Sequence, residues 1–60
     1  MKQIDNVFQV DNRDIIAVRD SETGQIICRG HWHEDHMLQC FNMDGDLLDG
    51  FTAYIEEAEA

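Results

Sequence analysis

Cys28, His31, His33, His36 and Cys40 place five potential metal ligands or nucleophiles inside thirteen residues, in a chain with only two cysteines and three histidines. Zinc takes thiolate and imidazole ligands converging in a tetrahedron, and a structural zinc site would suit a very small core. The candidate ligand set is Cys28, His33, His36 and Cys40, with His33 and His36 at i and i+3 if this stretch is helical. The spacing Cys28-x2-His31-x-His33-x2-His36-x3-Cys40 lacks the paired knuckles of zinc modules, and on a strand Cys28 and His31 point to opposite faces. The preferred reading is therefore an inward Cys28, a core-facing Cys40 and surface histidines around a buried Trp32. No bound cofactor is expected.

Two other chemistries fail on their patterns. Asn42-Met43-Asp44-Gly45-Asp46 offers oxygen ligands at positions 1, 3 and 5 of a calcium loop. Position 6 is then Leu47 instead of glycine and position 12 is Ala53 instead of glutamate, so capping and a turn are expected. A cysteine nucleophile needs a base and an oxyanion hole. The glycines Gly24, Gly30, Gly45 and Gly50 stand singly, with no nucleophile elbow or phosphate loop. Catalysis is not expected.

Charge is the remaining chemistry. Thirteen Asp and Glu against four Lys and Arg give a formal net charge of -9, and 43% hydrophobic residues are too many for a disordered acidic tail. Such a surface repels nucleic acid and anionic membranes and favours a basic protein surface. Carboxylates at intervals can also imitate a phosphate backbone. Asp35, Asp44, Asp46, Asp49, Glu56 and Glu57 are the candidate partner-binding residues. No stretch approaches the roughly 20 apolar residues needed to span a bilayer. The beginning of the chain lacks the apolar core of a signal peptide, its end lacks a prenylation signal, and a reduced cytoplasmic setting is expected.

The elements that must position these groups are few. Asp14–Asp20 and Gln25–Gly30 are β-branched runs flanking Ser21-Glu22-Thr23-Gly24. Asp20 or Ser21 can start the turn and Gly24 can take the left-handed conformation that ends it. Val7–Val10 reads as a further edge strand, with a turn at Asp11–Arg13. From Asp46 to Glu59 the residues Leu47, Leu48, Phe51, Tyr54, Ile55 and Ala58 form one stripe at helical period, which predicts an amphipathic helix. His33–Met43 fits a second short helix, or a strand running into Asp44-Gly45, with the helix favoured.

Together these readings predict one domain over residues 1–60, of the α+β class. Its antiparallel meander of two or three strands would be packed by the C-terminal helix. Leu47, Phe51, Tyr54 and Ile55 would meet Ile16, Val18, Ile26, Cys28 and Trp32, or the alternate register. A domain of this size buries only about 60% of the surface its unfolded chain exposes, so a homodimer would supply the missing burial. In type, though without any specific motif, the chain is similar to the small proteins that bacteriophages and mobile elements make to inhibit or redirect host proteins. The expected function is that of a non-catalytic interaction module whose carboxylates meet a basic, nucleic-acid-binding surface of another protein. The alternative is a small zinc domain built on the residue 28–40 cluster.

Overall fold

The computed structural model describes residues 2–56. Over them the chain forms β1 (Lys2–Ile4), a 3-10 turn at Val7–Gln9, β2 (Ile15–Asp20), β3 (Ile26–Gly30), the one-turn helix α1 (Asp35–Leu38) and β4 (Phe51–Glu56). The four strands make one antiparallel sheet in the order β1-β4-β2-β3.

The β2–β3 hairpin forms where turn chemistry places it. Asp20 Oδ1 accepts from the Glu22 and Thr23 amides, and Gly24 takes φ +76°. Ile16, Ala17 and Val18 pair with Gly30, Arg29 and Cys28, and the register shifts between Val18 and Arg19. This bulge leaves Ile27 as the extra residue of β3, and Ile26, expected in the core, is 51% exposed.

The C-terminal amphipathic helix is not formed. Residues Phe51–Glu56 are instead a strand in the middle of the sheet, hydrogen-bonded to β1 on one side and β2 on the other. The remainder of the expected helix beyond Glu56 lies outside the described residues. Phe51, Tyr54 and Ile55 fit a helical stripe, but Phe51, Ala53 and Ile55 also fit a period of two, which is the period the fold uses. Gly50 precedes the strand at φ +89°, outside helical backbone. Satisfying the second edge of β2 adds a full ladder of hydrogen bonds, which outweighs local helix preference.

The N-terminal strand is also displaced. Val7–Gln9 is a 3-10 turn closed by a capping box: Asn6 Oδ1 accepts from the Phe8 amide, while Gln9 Oε1 accepts from the Asn6 and Asp5 amides. Those local polar bonds draw the segment out of extended conformation, and the strand forms earlier, at Lys2–Ile4. The middle stretch is helical for Asp35–Leu38 alone. It then turns through Asn42–Asp46 so that Phe41 and Leu47 form an isolated bridge.

One face of the sheet is covered by the segment from His31 to Gly50. Ile4, Ile16, Val18 and Ala53 from the sheet meet Met37, Cys40 and Phe41 from this segment, with Val7, Val10, Cys28, Trp32, Leu47, Phe51 and Ile55 packed around them. Alternation sends Gln3, Ala17, Arg19, Arg29, Thr52, Tyr54 and Glu56 to the other face. There the register aligns Gln3, Tyr54, Ala17 and Arg29 in one row. Tyr54, expected in the core, is thus on the far side of the sheet from it.

Candidate functional site: a thiol pair and an acidic covering layer

The structure brings part of the His–Cys cluster together. Cys28 faces the core from β3 opposite Val18, and the turn after α1 carries Cys40 beneath it, with the two Sγ atoms 2.7 Å apart. The Cys28 thiol also lies 3.8 Å from Met37 Sδ. Cys40 is buried, while Cys28 is half-buried and opens into a cavity of about 330 Å³ lined by Ile27, Cys28, His36, Gln39, Cys40 and Phe51. Burial, the hydrogen-bonding contact with Cys40 and the charge Cys40 would carry push the Cys28 thiol up to about 12.

The histidines do not complete a ligand set. His36 shares the cavity, but its Nε2–H donates to the Arg29 carbonyl at 3.0 Å. His33 stacks on His31, with ring centroids 5.6 Å apart and 9° between planes, and meets Trp32 edge-on. Among the described residues no three His, Cys, Asp or Glu side chains gather as a metal-holding group. The calcium-like sequence is a turn: Asn42 Oδ1 accepts from the Asp44 and Asp46 amides, and Gly45 sits at φ +82°.

Glu34 organises the entry to α1. Its carboxylate accepts from the His31 amide, and that bond holds it below the usual carboxylate range. Gly30 makes room for this arrangement. Its φ is +156°, and a Cβ there would run into the Glu34 carboxylate and come within 3.0 Å of His36 Nε2. Gly30→Ala is expected to destabilise the fold by about 2 kcal/mol or more, through backbone strain and the lost Glu34 bond. Urea unfolding checks this, and an unchanged midpoint would mean that the Glu34 arrangement contributes nothing.

The acidic candidates divide by position. Asp35 opens α1, Asp44 lies in the Asn42–Asp46 turn and Asp49 precedes β4; all three are exposed. Asp46 is exposed too, but its Oδ1 accepts from Asn6 Nδ2 at 2.7 Å and ties the N-terminal turn to the covering layer. Glu56 is elsewhere, on the uncovered face of the sheet. Arg29 Nε and Nη2 donate to its two oxygens at 2.6–2.9 Å, and the guanidinium holds its carboxyl below the ordinary range. Glu57 lies outside the described residues.

The covering segment is acidic throughout: His31–Gly50 has five carboxylates and no Lys or Arg. Arg19 and Arg29 belong to the opposite face of the sheet, while Lys2, paired with Ile55, alternates onto the covered face at the β1 edge. The segment also exposes Leu38, Met43 and Leu48, with Met43 fully in solvent. Leu48, expected on the buried stripe of a C-terminal helix, is exposed because that helix is not formed.

No protein-family model, curated protein or solved structure matches this chain. No helix among the described residues is long and apolar enough to cross a membrane.

Proposed function

We propose that the chain is a small interaction module that docks its acidic covering layer on a basic surface of another protein, of the kind that otherwise holds nucleic acid. One observation carries this reading: on the segment 34–50, carboxylates without any cation alternate with the exposed side chains of Leu38, Met43 and Leu48. Carboxylates at the rim of a contact steer and orient a basic partner, and exposed apolar groups supply the area that is removed from water. Arg29 is paired with Glu56 and His31 lies 3.6 Å from Glu34, and among the described residues no cation pairs with Asp35, Asp44 or Asp49.

Asp35, Asp44 and Asp49 are the residues to neutralise, because Asp46 also holds Asn6. A partner captured from the source cell at low salt is expected to bind the Asp35→Asn, Asp44→Asn, Asp49→Asn variant about tenfold more weakly than the unaltered chain. Replacing Met43, whose side chain makes no core contact, is expected to weaken the same complex without lowering stability. Calorimetric titration reads both affinities. Equal affinities for all three chains would remove the covering layer from the interface.

A further inference from the structure

We propose that Cys28 and Cys40 form a dithiol centre that reacts with low-molecular-weight disulfides such as oxidised glutathione and closes to an internal disulfide. The two sulfurs come from different layers: Cys28 from the edge strand β3 and Cys40 from the turn that follows α1. Their 2.7 Å approach is within about 0.7 Å of a covalent sulfur–sulfur bond, so closure requires a small side-chain movement and no rearrangement of the sheet. No other residue of the chain can compete for either sulfur, since these are its only cysteines.

Accessibility assigns the order of events. Both cysteines line the 330 Å³ cavity, but Cys28 is half-buried whereas Cys40 is 4% exposed. The Cys28 thiolate attacks one sulfur of the oxidant, forming a mixed disulfide and releasing one thiolate. Cys40, having lost its proton, then attacks the Cys28 sulfur and expels the second. The two protons from Cys28 and Cys40 end on the two released thiols, and the two electrons lost by the cysteines reduce the oxidant. The product staples β3 to the covering layer.

The titratable groups facing Cys28 are Cys40 from the turn and His36 from α1; Met37, Gln39 and Phe51 complete its surroundings and carry no charge. Burial raises the Cys28 thiol above its ordinary value, so it is mostly protonated near neutrality. The first attack is therefore slow at pH 7 and accelerates as the pH rises into the alkaline range.

The test uses the full reduced chain, incubated with oxidised glutathione at several pH values and followed by intact mass. The expected product is about 2 Da lighter than the reduced chain, monomeric, reversed by dithiothreitol, and higher in melting temperature by roughly 10 °C. Cys40→Ser is expected to stop at one glutathionyl adduct, and Cys28→Ser to react far more slowly, because its remaining thiol is buried. Three results would overturn the proposal: no reaction even at alkaline pH, adducts that accumulate on both cysteines of the unaltered chain, or disulfides between chains. Each is read on the unaltered protein, so the conclusion does not depend on the variants folding.

Discussion

Ala53→Asp is expected to abolish cooperative folding, whereas Tyr54→Asp next to it should leave a folded protein. Ala53 is fully buried in β4, with Ile4 of β1 and Val18 of β2 as its lateral partners. A carboxylate there has no hydrogen-bonding partner, and burying it costs several kcal/mol or more. A domain of this length has a total stability of roughly 3–9 kcal/mol. Tyr54 is half-buried on the uncovered face, where an aspartate side chain can reach water. The pair also separates two architectures. In a helix spanning 46–59, Ala53 would lie off the apolar stripe and Tyr54 on it, so the effects would be reversed. Circular dichroism and urea unfolding of the two variants decide the matter: a folded Ala53→Asp chain with an unfolded Tyr54→Asp chain would contradict the central position of β4.

Met37→Ala is the second large effect, expected to destabilise by about 2–5 kcal/mol. Met37 is the only member of α1 that is buried, and it belongs to the same core cluster as Ile16 and Val18. A helix of one turn has no stability of its own, so packing through this side chain is what holds it in place. Truncation should therefore loosen the covering layer before the sheet. Hydrogen exchange would show this as lost protection of the Met37 and Cys40 amides, with the β2–β4 ladder protected longer. Uniform loss across both would mean that the layer and the sheet unfold as one unit. Leu38→Ala supplies the control, because Leu38 is 45% exposed and its truncation should change stability little.

These two positions also show how far the sequence is legible. The hairpin could be read because its signals are local: Asp20 closes the turn through its own neighbours' amides, and Gly24 supplies the positive φ. The inward placement of Cys28 and Cys40 also follows from residue type. β4 could not be read from pattern alone, since alanine is a weak apolar signal and Ala53 is what distinguishes period two from the helical stripe. Its strand state is decided by partners 49 to 53 residues away in sequence, Lys2–Ile4, and by β2. β1 itself contributes a single buried side chain, Ile4, too little to register as a strand.

The candidate site divides in the same way. The carboxylates were identified as a composition, but their gathering on the covering layer depends on where the chain crosses the sheet. Glu56 shows the difference. By sequence it belongs with the acidic residues, yet antiparallel pairing puts it beside Arg29, where its charge is already met. The thiol pair lay within the cluster of five ligand-type residues, and its isolation from His33 follows from the turn at Trp32–Glu34, which stacks that ring on His31.

The measurement that bears most directly on the proposed function is the salt dependence of partner binding, compared between the unaltered chain and the Asp35→Asn, Asp44→Asn, Asp49→Asn variant. Exposed charge pairs are screened as ionic strength rises. The affinity of the unaltered chain is expected to fall steeply with salt, and that of the variant to start weaker and fall less. Parallel salt curves of equal affinity would contradict it and place the contact elsewhere on the molecule.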